Sequence, residues 1–208
     1  MDGVGCWHQT VTSNGDVNYG LIDYYLLMAG ENKNKLYFTT EACRLTDQIL
    51  TSTLPYLKEG VSEKVVAKKI VSLTKERGCR LSFYPIVAFG RWSAYPHHKA
   101  GKRRLRRNDL VLIDLGAKYK SYCADLTRTF TFGPPDKKQK TMISLVLKAQ
   151  SLAIKQLKAG LDYRAADQLI RGYFVRHGVK PYLIRHGLGH GIGHRVHEGF
   201  ILSIKTPK

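Results

Sequence analysis

Apolar positions fall at helical spacing through Ala42, Leu45 and Ile49, and the same rhythm returns through Ile143, Val146 and Leu147. Each stretch is followed by a second amphipathic segment, LKEGVSEKVVAKKIVSLTKERG over 57–78 and LKAGLDYRAADQLIRGYFVRHG over 157–178. These two align one hundred positions apart: Leu57 with Leu157, Lys58 with Lys158, Gly60 with Gly160, Ile70 with Ile170 and Gly78 with Gly178. Ser62 and Asp162 stand where a capping side chain accepts from the first free N–H groups of a helix. Gly78 and Gly178 stand where a helix stops in the left-handed conformation. Shared caps and shared stops predict a duplicated helix pair.

Between the two pairs the pattern turns to extended segments. FYPIVAFG (83–90) leads into a loop ending PHH (96–98) and a basic turn. DLVLIDLG (109–116) and YCADLTRTFTF (122–132) then read as two strands joined through AKYKSY. A midpoint near 119–120 sets Asp114 and Asp125 roughly opposite each other, with β-carbons ~5 Å apart. Two carboxylates that close repel unless a proton or a cation lies between them. Both sit inside apolar strands rather than in a solvated turn, so a shared metal ion is expected there.

The run HGLGHGIGHRVHE (186–198) carries the other concentrated chemistry. Alternating glycines oppose a helix, each costing ~1 kcal/mol relative to alanine. As a strand, the run places His186, Leu188, His190, Ile192 and His194 on one face and bare glycine backbone on the other, where a second backbone or a ligand can approach. Histidines four apart in a strand are separated by ~13 Å, so one ion can take at most one of them. Two carboxylates and one imidazole suit Mn²⁺, Co²⁺ or Zn²⁺. If the second half repeated the first in full, an acidic hairpin matching 114 and 125 would fall near 214 and 225, past Lys208. An incomplete second half is therefore expected.

Composition narrows the class. The 43% hydrophobic and 24% charged residues are those of a globule with a real core. No segment has the continuous apolar length of a membrane helix, and MDGVGCWHQT lacks the regions of a secretory signal. Cys6, Cys43, Cys79 and Cys123 form no CxxC pair, which argues against a zinc ribbon and for reduced thiols in a cytoplasm. The net charge of +18, with GKRRLRR (101–107) and KKQK (137–140), could attract phosphates or acidic partners. No aromatic-rich signature accompanies those runs, so nucleic acid is a secondary expectation.

PIVAFG followed by PHH, then NDLVLIDLGAKYKSYCADLTRTFTFG, then HGLGHGIGHRVHEG together resemble the pita-bread-fold metallopeptidases, which include methionine aminopeptidases and Xaa-Pro peptidases. DLTRTF and PHH are more similar to the Xaa-Pro aminopeptidase and dipeptidase branch. The resemblance spans about residues 38–203. It implies an α+β pita-bread fold with internal pseudo-twofold symmetry, over a domain 36–208; residues 1–35 stay unassigned, as a possible remnant of an N-terminal domain. It further implies two divalent ions (Mn, Co or Zn), with Asp114, Asp125 and His190 as metal ligands and Asp125 shared by both ions. His97 and His197 are implied to hold substrate or stabilise the tetrahedral intermediate, and His186 to line the pocket. The implied substrate is a peptide with proline at its second position, hydrolysed before the proline by a metal-activated water. Two family glutamate ligands have no counterpart before Lys208, so weak metal binding and impaired turnover are expected of this chain. The alternative is a non-catalytic pita-bread module binding peptide, acidic protein or nucleic acid. An exposed strand edge where the second hairpin would pair makes a homodimer an expected arrangement.

Overall fold

The computed structural model describes residues 33–156, 158, 160, 162–180, 186–203 and 205. Nearly all of the unassigned segment 1–35, and Leu157 of the repeat, lie outside them. Helix α1 (Lys33–Thr53) and helix α2 (Glu63–Glu76) pack against two small sheets. Strands β1 (Arg80–Leu81) and β2 (Ile86–Phe89) follow, then β3 (Leu110–Leu115), β4 (Ala117–Tyr119), β5 (Tyr122–Cys123) and β6 (Leu126–Thr131). Helices α3 (Lys137–Gln156) and α4 (Tyr163–Arg176) form the second pair, and β7 (Gly189–His190) meets β8 (Ile201–Leu202).

The repeat is visible in the punctuation of the helices. Ser62 Oγ caps α2 by accepting from Val65 N at 3.4 Å, and Asp162 Oδ1 caps α4 by accepting from Arg164 N at 2.9 Å. Both pairs end in left-handed glycines, Gly78 at φ 68° and Gly178 at φ 82°. Ala42, Leu45 and Ile49 are buried as the spacing predicts. The second half departs from its prediction: α3 buries Leu145 and Ala149 and leaves Val146 49% exposed, so its inward stripe is rotated away from Ile143–Val146–Leu147.

Sheet β2-β3-β6 is antiparallel throughout, and Val87, Phe89, Val111, Ile113 and Leu115 turn one face onto Val66, Ile70 and Ile49. Burying such side chains stabilises by roughly 1.5–3 kcal/mol each. The alternating burial along β3 leaves the opposite face, with Asp114, turned away from this core. Cys79 and Cys123 are buried free thiols. Among the described residues no helix is long and apolar enough to cross a membrane.

Candidate active site

The acidic hairpin turns on Lys120 and Ser121, whose φ angles of 45° and 75° make a tight two-residue loop with the twist that suits a hairpin. That turn sets the register: Tyr119 pairs with Tyr122, Lys118 with Cys123 and Asp114 with Thr127. The two aspartates are therefore not opposed, as a midpoint of 119–120 suggested. Asp125 lies two residues from Asp114's partner, a diagonal neighbour on the same face. Gly116 separates β3 from β4, and the carbonyl of Ala124 occupies the space a β-carbon would need there.

The consequence is electrostatic. Asp114 is pushed up to about 7, first by burial and then by the neighbouring charge of Asp125, while a hydrogen bond from Thr127 opposes the rise. Its Oδ1 is buried with no hydrogen-bond partner. An orphaned carboxylate oxygen costs free energy that a cation would recover.

The histidine run reaches this pair by folding back on itself. Only Gly189–His190 is strand; the chain then reverses, with Leu188 N donating to Leu202 O (2.8 Å), Gly191 N to Phe200 O (2.8 Å) and Glu198 N to Gly191 O (3.0 Å). The single long strand expected over 186–194 is thus replaced by a loop. The glycines do admit a second backbone, and it is the chain's own return. A β-carbon at Gly191 would strike the Glu198 carbonyl, one at Gly193 the Glu198 carboxylate, and one at Gly187 would sit 2.6 Å from Leu202 O.

Beyond the reversal the loop is clipped to the tip of the acidic hairpin. Cys123 N donates to Gly193 O (2.8 Å), and Lys118 Nζ donates to His194 O (2.7 Å). The His194 ring lies 3.2 Å from Ser121 O through Nδ1 and packs on Tyr122 with centroids 4.3 Å apart. This docking brings His190 Nε2 to 3.3 Å from Asp125 Oδ2. The hydrogen bond to Asp125 raises the His190 pKa against the opposing effect of burial. His197 stands edge-on to His190, centroids 4.2 Å apart. Its pKa is lowered by burial first, then by the charges of His190 and, more weakly, His97, against the pull of Asp125.

Asp114, Asp125, His190, His197 and His97 therefore share one electrostatic neighbourhood. His97 is exposed, at φ 59° in the loop after β2. The described contacts of His186 lead elsewhere: its Nδ1 lies 2.8 Å from Gly187 O, and its carbonyl accepts from Arg171 Nη2 of α4 at 2.9 Å. Thr127, through its hydrogen bond to Asp114, and Lys118, through its bond to His194 O, support the site without having been singled out from the sequence. Thr127 alone carried a readable signal, as the polar residue two beyond Asp125 on the same face.

Among the described residues no group of three or more His, Cys, Asp or Glu side chains is already gathered around one point. The donors instead meet in pairs, Asp114 with Asp125 and Asp125 with His190. Two carboxylates, one of them with an orphaned oxygen, and a part-buried imidazole still make a donor set that fits a divalent cation. His190 Nδ1 faces the Gly191 carbonyl at 3.1 Å, the arrangement that leaves Nε2 as the ligating nitrogen.

The family model of metallopeptidase family M24 matches residues 38–208. An Xaa-Pro dipeptidase of Pyrococcus horikoshii is 37% identical over 169 residues, which is 81% of this chain and 48% of that protein. The solved prolidase from Pyrococcus furiosus superposes with a TM-score of 0.81 at 35% identity, covering 86% of this chain and 53% of its own. The X-Pro aminopeptidase from Thermotoga maritima gives 0.79 at 34% identity, with 84% and 50% covered. These neighbours have the pita-bread fold, with mixed helix and strand. The chain spans about half the length of the relatives it matches.

Proposed function

This chain belongs to metallopeptidase family M24, and on that premise we propose that it serves hydrolysis of the peptide bond preceding proline. The observation that carries the reading is the junction of Asp114, Asp125 and His190, in which Asp125 meets both of the others and Asp114 Oδ1 is buried without a hydrogen-bond partner. These three side chains would hold a divalent cation of the Mn²⁺, Co²⁺ or Zn²⁺ class. Bound there, the cation supplies Lewis-acid polarisation of the scissile carbonyl and activation of a water.

The chain's own residues do the remaining work described here. Asp114 must give up its proton for the site to load, and the Thr127 hydrogen bond favours that release. Asp125 is common to both donor pairs. His197, held towards its neutral form, offers one ring N–H to a developing oxyanion, and His97 reaches the same space from the loop after β2. His186 is assigned to the pocket by resemblance alone. The reading concerns the half of a site that these residues carry; the matching relatives are about twice as long.

A second reading is favoured by one observation. Gln139 Nε2 donates to Asn108 O at 2.8 Å, which sets the basic run 137–140 beside the basic run 101–107. That merged surface fits a polyanion, as a binding module would require.

The test is release of the N-terminal residue from a short Xaa-Pro peptide in excess Mn²⁺, with Asp125→Asn as control. Cleavage abolished by chelator and by the substitution supports the peptidase. Cleavage that persists in the control, or none with Mn²⁺, Co²⁺ or Zn²⁺, overturns it.

A further inference from the structure

Glu63 is a carboxylate in the wrong place for a surface helix. It occupies the first turn of α2 on the same stripe as Val66, Ala67, Ile70 and Leu73, and it is 0% exposed. Buried carboxylates are rare unless every oxygen is engaged. Here Oε1 accepts from Phe89 N at 2.9 Å, and Oε2 accepts from Gly101 N at 3.0 Å and meets His98 Nε2 at 2.9 Å. A face of the His98 ring stacks on Trp92, centroids 5.5 Å apart and 19° between planes.

These contacts fall at the beginning, middle and end of a single loop. Phe89 ends β2, His98 adjoins His97, and Gly101 begins the segment that runs along the start of α2. That segment is itself pinned, with Glu63 N donating to Arg103 O and Lys64 N to Gly101 O, both at 3.0 Å. The loop between has little regular structure beyond the 3₁₀ turn Gly90–Ala94, and it holds His97 at φ 59°, which a non-glycine residue adopts only when its surroundings compel it. A buried carboxylate engaged by three partners is a strong constraint on that loop from the core side.

We infer that Glu63 is a positioning residue: its carboxylate gathers Phe89, His98 and Gly101 and so fixes where His97 stands relative to His197 and the aspartates. The inference rests on the peptidase reading only in assigning His97 to the substrate; the gathering itself does not depend on it. Glu63 touches neither the substrate nor the cation site. It acts through the backbone on either side of His97.

The experiment compares backbone hydrogen exchange in the full chain for Glu63→Gln, His98→Phe and His98→Gln. Glu63→Gln keeps the shape but replaces one of the two acceptor oxygens with an NH2 group, so either Phe89 N or Gly101 N is left without its acceptor. His98→Phe keeps a flat ring for Trp92 but removes the N–H, whereas His98→Gln restores a donor. Exchange over residues 90–101 is expected to quicken by roughly tenfold in Glu63→Gln and in His98→Phe, and to stay near wild type in His98→Gln. Exchange in β3 and β6 should not change. Equal quickening throughout the molecule, or no quickening in 90–101, overturns the inference. If Glu63→Gln does not fold, the His98 pair decides alone, because its rescue isolates one hydrogen bond. Xaa-Pro cleavage by His97→Ala is measured alongside: cleavage unchanged there sinks the assignment of His97, while the exchange results stand or fall by themselves.

Discussion

His190 Nε2 stands 3.3 Å from Asp125 Oδ2, an imidazole from the glycine-rich loop against a carboxylate from the first hairpin. The contact joins the two halves of the repeat at the point where the donors converge. It is possible only because the loop reverses at Gly191 and is held on the hairpin tip through Cys123, Lys118 and Tyr122.

Replacing Asp125 removes the group common to both donor pairs. Asp125→Asn should weaken Mn²⁺ binding by more than the roughly 10–100-fold that loss of a supporting group costs. Titration calorimetry measures it. The fold should survive, because the substitution also relieves repulsion on Asp114.

Thr127 acts at one remove. Thr127→Val deletes the hydrogen bond that stabilises ionised Asp114, so the Asp114 carboxyl should rise further and metal affinity near neutral pH should fall by about tenfold. The deficit should shrink as the pH is raised. A pH-independent deficit would refute this account of Thr127.

The metal-free chain should lose stability as the pH climbs to neutrality. Asp114 releases its proton near 3.8 when unfolded and only at about 7 when folded, so its favourable contribution is complete below 3.8 and is lost towards 7. His190, raised above 6.5, adds a contribution that is present below that value and lost as the pH passes its folded value. Urea midpoints in chelator should therefore decline between about pH 4 and pH 7, and Asp114→Asn should flatten the decline. Excess Mn²⁺ should reverse it, since the cation takes the place of the proton.

Gly191→Ala tests the loop reversal. Its β-carbon meets the Glu198 carbonyl, which belongs to backbone and cannot swing aside. A destabilisation of about 1–3 kcal/mol is expected, together with loss of the His190 contribution to metal binding. Alanine tolerated with unchanged affinity would mean the loop does not need this close approach.

The polyanion reading has its own outcome. Affinity for a short nucleic acid that falls steeply with salt, and falls further when Arg106, Arg107, Lys137 and Lys138 are neutralised, would favour a binding module. A flat salt dependence removes that alternative.

Much of this architecture was legible in the residues. Caps at Ser62 and Asp162 and stops at Gly78 and Gly178 announced the helix pairs, because local hydrogen bonding and left-handed backbone leave a direct mark on residue type. The aspartates were legible as a pair but not in their register. Lys120 and Ser121 both take positive φ without the glycine or asparagine that usually signals such a turn, so the midpoint was displaced. The histidine run was legible as glycine-dependent and not as a loop, since what fills the glycine face is a return strand later in the chain. Glu63 was invisible because its partners Phe89, His98 and Gly101 are distant in sequence, and only the fold shows that a carboxylate on an apolar stripe has three donors waiting.

The clip between the loop and the hairpin tip also orders the site in time. The hairpin bearing Asp114 and Asp125 closes through neighbouring residues and leaves the ribosome well before His190 is made, so the carboxylates form a landing place and the imidazole arrives last. On the proposed ligand set, cation affinity would follow the end of folding: a chain whose second helix pair has not yet docked would hold the aspartates alone and bind weakly, and a gain in affinity on refolding would mark the moment the two halves meet.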